Sequence, residues 1–553
     1  MAYRRMPRTT QSEPELGTIH KDHRGRTRIA LIYPNTYAVG MSNLGFQTVY
    51  RLLNDFDEVV CERAFLPREG PFSTEDVRTV ESHRPLNYFD IIAFSISFEN
   101  DYPHVLNLLE KAKIPSLSSH RTSDHPLVMA GGVACFLNPE PLAPFMDLMV
   151  IGEAESVLPD FFRIYDPGLE RDVVLKMLAQ TVPGVYVPSF YRVEYDGRGI
   201  LKTWEPTMDV PLKILRAYVP DLSRVSTTST VISKSASFGS TFLIETGRGC
   251  PHGCRFCSAG YVYRPTRFRS LEQLSQSLDE GMALTDRIGL VGTAITDLPD
   301  LKQLCDRVKG SGIRVSFSSL RADRLSEEVI SVLRKSRVKT VAIAPDAGSQ
   351  RMRNVIKKGI TEQDILSAVE KLVSGDIFNI KLYFMIGLPT ELMEDIIAIV
   401  DLCKRVKQVF LLASRIKQRM GTITVSINPF VPKPFTPFQW AAMNDMNTIK
   451  AKMNTIKAGL KSVANVRIIM EKPLQAYTQA LLSRGDRRAA EMLLILARSR
   501  GNWPKFLRES IIDPDFFALR ERDYGELLPW YHIDQGFHLD LLERENEKAK
   551  KTT

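Results

Sequence analysis

The run Phe242-Leu243-Ile244-Glu245-Thr246-Gly247-Arg248-Gly249-Cys250-Pro251-His252-Gly253-Cys254-Arg255-Phe256-Cys257 decides how this chain is read. It opens as a short apolar strand and passes into a loop whose cysteines are spaced C-x3-C-x2-C. Three soft thiolates on one tight loop suit an iron-sulfur cluster. Gly249 and Gly253 are expected to let the backbone fold around it, and Arg248 and Arg255 to favour thiolate over thiol. Clusters closed by protein use four cysteines. The fourth is missing locally, and neither Cys305 nor Cys403 falls near an expected strand end, so one iron is left open to a substrate or cofactor. Two other readings stand beside this one: a zinc site with His252 as fourth ligand, for which no second C-x2-C or H-x3-H arm is visible, and three unrelated reduced thiols.

Outward from this run the chain alternates apolar strand candidates with helix-length amphipathic stretches. Toward the C-terminus the strands are expected at 242–245, 288–291, 315–318, 340–344, 380–386 and 422–427, with helices such as 271–285 and 362–374 between them. Repeated strand-then-helix units close into a parallel barrel, and six of them make a partial one with chemistry on the loops after the strands. Toward the N-terminus, apolar runs at 29–33, 58–62, 91–97, 127–130 and 148–151 describe a doubly wound parallel sheet. Residues 184–204 read as a hairpin around Asp196-Gly197, and the Ser/Thr-rich 226–240 as a linker or covering loop. Beyond Trp440 helices are expected at 447–463, 473–482 and 489–500. The expected organisation is an extension at 1–27, a doubly wound α/β domain at 28–165, hairpin and linker at 166–240, a partial (β/α)6 barrel at 241–440 and a mostly helical region at 441–553.

With 553 residues, 44% of them hydrophobic and 25% charged, the composition is that of a soluble protein of about three to four domains, which excludes a disordered tail, a collagen-like fibre and a small disulfide scaffold. No apolar run approaches the roughly 20 residues that cross a bilayer, so no membrane partner is expected. Residues 1–27 are polar and Arg-rich without the apolar centre of a secretory signal; Glu13, Glu15 and Asp22 also interrupt a transit-peptide pattern, and a cytoplasmic location is expected. Seven cysteines, an odd and sparse set, argue for reduced thiols. The net charge of +9 permits an anionic partner without requiring one.

At the cysteine motif the chain resembles the radical S-adenosylmethionine (SAM) superfamily, with Phe256 in the aromatic position before the last cysteine. The resemblance implies that Cys250, Cys254 and Cys257 bind three irons of a 4Fe-4S cluster while SAM chelates the fourth. One electron then cleaves the sulfonium, giving a 5'-deoxyadenosyl radical that abstracts hydrogen from substrate. It also implies SAM contacts on successive loops: Phe256 beside the cluster, Gly292 in Val291-Gly292-Thr293-Ala294, Ser318 and Arg321 after the third strand, Asp346 and Ser349 in Pro345-Asp346-Ala347-Gly348-Ser349, and Gly387 and Glu391 after the fifth. The second-strand loop lacks the Glu found there in many members.

The front domain resembles the cobalamin-binding module fused to many radical SAM enzymes, whose signature is D-x-H-x-x-G, a Ser motif and Gly-Gly. Here the corresponding corrin candidates are Tyr37 and Gly40, Ser95 and Ser97, and Gly131 and Gly132, with Asn35 and Tyr37 where Asp and the axial His belong. A phenol is a poor cobalt ligand. Either cobalamin binds without a lower protein ligand or the fold persists with no corrin, and cobalamin is the leading cofactor candidate after SAM. In the Pro-rich stretch 429–440, Phe435, Phe438 and Trp440 read as a pocket lining or, more simply, a hydrophobic seal. The basic run 483–488 reads as a phosphate site or a solvated helix start, and His532 as an acid or base or a structural residue. The expected activity is reductive SAM cleavage with cobalamin-linked methyl transfer as an extension; the alternatives are a methylthiotransferase-like enzyme modifying tRNA or rRNA and a non-catalytic iron-sulfur or corrin-binding sensor. The small-molecule or macromolecular substrate is not specified, RNA is a candidate partner, and the electron donor expected is of flavodoxin or ferredoxin type.

Overall fold

The computed structural model describes residues 14–499 and 502–552. Residues 1–13 of the expected extension, and Arg500 at the expected end of a helix, lie outside the described residues.

The front sheet takes β1 (Thr27–Thr36), β2 (Val59–Leu66), β3 (Ile91–Ser95), β4 (Leu127–Gly131) and β5 (Leu148–Val150) in the parallel order β2-β1-β3-β4-β5. This is a doubly wound order with its switch point between β1 and β3, the place where such sheets bind ligands. The strands are covered on both faces, which is why they read as unbroken apolar runs; β2 is buried along its whole length. Asn43 caps the helix that follows β1, Leu44–Asp55, by accepting from the Phe46 amide at 2.9 Å. The expected hairpin begins later than its sequence suggested. β6 (Val185–Tyr186) leaves it to pair antiparallel with β5, and the hairpin itself is β7 (Tyr191–Tyr195) with β8 (Leu201–Pro206).

All six expected barrel strands are present: β9 (Phe242–Glu245), β10 (Arg287–Val291), β11 (Arg314–Phe317), β12 (Thr340–Asp346), β13 (Asn379–Ile386) and β14 (Thr422–Pro429). They form two parallel sheets, β9-β10-β11 and β12-β13-β14, and β15 (Val466–Met470) extends the second. No strand was expected after Trp440; β15 is short, carries Arg467, and is only half covered, so its apolar signal is weak. Helices between the strands start where their caps dictate: Ser270 and Gln273 form a capping box for Leu271–Leu284, and Thr361 and Asp364 one for Glu362–Ser374.

The stretch 226–240 is a covering loop. Ser229 and Glu245 amides donate to Leu243 and Thr227 carbonyls (2.9 and 3.0 Å), so this segment lies along the outer edge of β9, an edge that would otherwise invite pairing with another chain. Gln47 of the front domain accepts from the Thr230 and Val231 amides, both at 2.9 Å, and ties the cover down.

The tail is stitched to the front domain. Asn138 donates to the Ser483 and Gly485 carbonyls (3.0 and 2.7 Å), Gln535 to the Phe136 carbonyl (2.6 Å), and Arg487 to Glu140 (3.0 Å). The expected phosphate site or solvated helix start at 483–488 is neither. Arg484 is fully buried and donates to the Ala518 and Arg520 carbonyls, Arg487 pairs with Glu140, and Arg488 pairs with Asp486. His532 is buried too, stacked 4.4 Å from Trp204 and 3.6 Å from Glu140, with Arg487 opposite. Burial pushes its imidazole down to about 4. The unfolded chain, titrating near 6.5, therefore binds the extra proton first. Stability is complete above about pH 6.5 and is expected to fall as pH drops from there to about 4 by roughly 3 kcal/mol from this group; urea titrations across that range, with His532→Phe losing this dependence, test it. Among the described residues no helix is long and apolar enough to cross a membrane.

Candidate functional site

The cysteine loop leaves β9 through Gly249, whose φ is +82° and where a Cβ would lie 2.7 Å from the Tyr263 carbonyl oxygen; only glycine fits. Gly253, by contrast, has no left-handed backbone, so the expected second hinge is not one. Cys254 is buried, and Cys250 and Cys257 are half-buried. Among the described residues no three His, Cys, Asp or Glu side chains converge as they would on a single ion. His252, the zinc ligand considered, turns to Asp297 at 2.9 Å. With His252 engaged there, the loop itself offers three thiols and no fourth ligand, the donor set of a cluster with one iron left open.

The expected charge partners of the thiols are wrong. Arg248 is directed to Glu153, Glu155 and Glu245 (2.8, 2.5 and 3.0 Å), and Arg255 to Glu545 at 3.2 Å and the Val355 carbonyl at 2.7 Å. Burial raises all three thiols, Cys254 up to about 11, and the cations that work against this are Lys358 and Arg321. Lys358 pairs with Asp346 at 2.5 Å. Burial opposes the Lys358 charge, but Asp346 and the nearby Cys254 more than offset it and hold the ammonium above its ordinary range, while burial raises the Asp346 carboxyl. Nothing in the local motif announces Lys358, which lies about a hundred residues on.

The SAM candidates fall into two groups. Gly292 and Ser318 face one another, the Gly292 amide donating to Ser318 Oγ (3.1 Å) and that hydroxyl donating to the Gly292 carbonyl (2.9 Å), on the wall of a large cavity. Phe256 is half-buried against the apolar cluster that contains Leu388, Phe430 and Phe438. The others hold loops. Arg321 forks onto Asp323 (3.0 and 3.2 Å) and the Lys358 carbonyl, so its guanidinium is occupied. Asp346 takes a left-handed φ of +62° to reach Lys358. The Ser349 hydroxyl caps the helix Gln350–Val355 and donates to Asp395 at 2.6 Å. Gly387, at φ +83°, donates its amide to Glu391 (2.7 Å), which Lys452 pins at 2.7 Å.

The cavity, about 630 Å³, opens between the carboxyl ends of the front strands and the barrel mouth. Ser95, Ser97, Gly131 and Gly132 line it; Tyr37 and Gly40 do not. The Tyr37 hydroxyl bonds Glu15 and its ring meets Phe65 at 5.1 Å, while Gly40 packs on the same Phe65, where a Cβ would come within 2.5 Å. These two are corrected as corrin contacts: the loop after β1 turns its signature residues away. Glu153, Glu155, Glu245, Arg248 and Thr227 form a charged wall instead. Arg267 closes this network on Glu153 (2.7 Å) and Arg269 on Glu245 (2.7 Å), giving three guanidiniums for three carboxylates. The Pro-rich stretch is a seal: Phe435, Phe438 and Trp440 are at most 1% exposed and line no part of the cavity.

Comparison with known proteins agrees with this geometry. A family model described as Radical SAM proteins, N-terminal matches residues 45–188, and one described as Radical SAM superfamily matches 244–403. The chain is similar to the uncharacterized protein MJ0966 of Methanocaldococcus jannaschii, 30% identical over 469 residues that cover 84% of this chain and 90% of that one. It is 27% identical over 199 residues to a tRNA-2-methylthio-N(6)-dimethylallyladenosine synthase of Carboxydothermus hydrogenoformans, covering 34% of this chain and 45% of that enzyme. The solved structure of the radical S-adenosylmethionine methyltransferase TsrM from Kitasatospora setae, with cobalamin and a 4Fe-4S cluster bound, matches with a TM-score of 0.50 at 13% identity over 86% of this chain and 100% of that one, a likeness of fold. With the front domain and most of the barrel matched, and three cysteines on the loop after the first strand of a parallel partial barrel, the chain belongs to the radical SAM superfamily, enzymes that bind a 4Fe-4S cluster and SAM.

Proposed function

We propose that Cys250, Cys254 and Cys257 hold the cluster and that the enzyme works on a substrate reaching the cavity between barrel and front domain, where a corrin sits for methyl transfer. One observation carries this reading: a single cavity runs from Ser95, Gly131 and Gly132 at the front strand ends to Gly249, Gly292 and Ser318 at the barrel mouth. When bound, the cluster supplies one electron to the SAM sulfonium. The chain's own part is to position and exclude. Each cysteine gives up a proton that burial otherwise holds, Lys358 offsets the negative charge of the thiolates, and Phe430 and Phe438 cover the inner side of the loop at Phe256. Gly292 and Ser318 present a polar edge to SAM, and Lys452 with Glu391 fixes the Gly387 loop.

The residues present fit a corrin. Leu31, Ala93, Met129 and Val150 form an apolar floor running back toward Leu44 and Leu158, and Gly131, whose Cβ would meet only Val150, leaves room for a flat ring to approach backbone, while Gly132 packs tightly on the Ile96 backbone. The Tyr37 hydroxyl is held by Glu15 away from the cavity, so Tyr37 would not serve as a ligand to a bound corrin. Protein expressed with cobalamin available is expected to retain it, with Tyr37→Phe unchanged. Gly131→Leu, at a site where a Cβ meets only Val150 at 3.6 Å, fills the cavity and is expected to lose at least about tenfold in corrin occupancy with the cluster intact. Absorption spectra and cobalt-to-iron ratios read both; a wild type that takes up no corrin refutes the assignment. RNA loses its basic run at 483–488 to burial, which disfavours it as substrate. The seven free cysteines fit a reducing compartment, and we assign the chain to the cytoplasm.

A further inference from the structure

The cysteine loop meets solvent at its tip. Pro251 is exposed there, with His252 and Gly253 half-buried beside it. Around the tip the carboxylates are inside and the cations outside. Glu545, from the chain's last helix Asp540–Lys550, is 6% exposed and accepts from Arg255 (3.2 Å), Lys357 (3.2 Å) and Lys548 (3.0 Å). On the opposite flank Asp297 holds His252 at 2.9 Å and lies 3.9 Å from Arg324. The side chains of Lys357, Lys548 and Arg324 are 50%, 66% and 55% exposed. Lys357 Nζ is 3.3 Å from the point where a Cβ on Gly253 would sit, so its ammonium stands over the loop itself. Four permanent cations thus meet two carboxylates, while the neighbouring pairs Lys358–Asp346 and Arg321–Asp323 cancel.

The other sides of the loop are closed by protein. The Arg255 amide donates to the Ile356 carbonyl (3.0 Å), the Phe438 amide donates to the Arg255 carbonyl (3.3 Å), and Ala549 of the last helix is buried with Val355, Ile356 and Phe438. The cavity side is the one assigned above to SAM and substrate, which leaves the exposed tip as the approach for another partner.

We infer that residues 251–253, ringed by Lys357, Lys548 and Arg324, form the docking face for an acidic one-electron carrier protein and the entry point for its electron. This rests on the cluster assignment made above. One electron leaves the carrier, for example a flavin hydroquinone that becomes its semiquinone and releases a proton to solvent, and the cluster is reduced by one; no bond in this chain is made or broken. A positive rim accelerates encounter with an acidic partner by factors of about 10–10³ that shrink as salt rises.

The test uses the reconstituted holoprotein, mixed anaerobically either with reduced flavodoxin or with photoreduced deazaflavin, a small donor that needs no docking face. Cluster bleaching is followed by stopped flow. Two variants are compared: the double charge reversal Lys357→Glu with Lys548→Glu, and Arg324→Glu, which leaves the Glu545 contacts untouched. Each is expected to slow reduction by flavodoxin about tenfold at low salt, with the gap closing at high salt, and to leave the deazaflavin rate unchanged. Flavodoxin rates that do not change in either variant overturn the docking face, as do losses equal for both donors. A wild type with no cluster for deazaflavin to reduce overturns the proposed function itself.

Discussion

Cys250→Ala is expected to abolish the 4Fe-4S absorption and all release of 5'-deoxyadenosine from SAM, while the front domain stays folded. With two thiolates left, a second iron is without a protein ligand, and no other cysteine can step in: Cys305 and Cys403 are buried among barrel helices, with burial raising both thiols to about 12, and Cys61 and Cys135 belong to the core of the front domain. The front sheet pairs with no residue of the loop, so its strands are expected to stay formed. Iron content, the visible spectrum and a SAM-cleavage assay check the first part, and circular dichroism the second. Retained turnover contradicts the ligand set.

The second large effect is expected at Arg248. Its guanidinium, 8% exposed, carries three carboxylates from both sides of the domain junction, Glu153 and Glu155 from the front and Glu245 from β9. Burial works against its charge, and Glu245, Glu155 and Glu153 together raise its pKa well above the ordinary arginine value. Arg248→Met leaves those carboxylates short of a partner in a buried wall, and a loss of about 3–5 kcal/mol is expected. Because Arg248 lies two residues before Cys250 and touches the front domain, the loss is also expected to split one unfolding transition into two, front domain and barrel apart. Arg248→Lys, which keeps the charge but cannot fork, is expected to recover only part. Urea unfolding read at two wavelengths decides it; a loss under about 1 kcal/mol contradicts a linking role for this residue.

What could be read from the sequence was whatever a local pattern carries. C-x3-C-x2-C after an apolar strand marks the cluster loop, and the alternation of apolar runs with helix-length stretches marks the five parallel strands of the front sheet and the six of the barrel. What could not be read depends on partners far away in the chain. The motif arginines look like thiol partners until the structure shows carboxylates 95 residues before Arg248 and 290 after Arg255 competing for them. Tyr37 sits where an axial ligand belongs by count, yet Glu15 and Phe65 fix its direction, and neither lies in the motif. The basic run 483–488 looked solvent-facing because its partners, Asn138, Glu140 and the carbonyls of 518 and 520, come from other segments. The strand 466–470 was missed because a half-covered edge has no strong period.

One apolar core joins residues such as Ile29 and Phe94 to Trp530, Ile533 and Leu542. The first strand to leave the ribosome therefore waits for nearly the last segment before its own packing is finished. At about 5–20 residues per second that delay is roughly half a minute to a minute and a half. During it the nascent front sheet exposes the patch the tail will cover, which makes it a client for chaperones throughout synthesis, and a chain halted by an early stop codon is left with that patch uncovered.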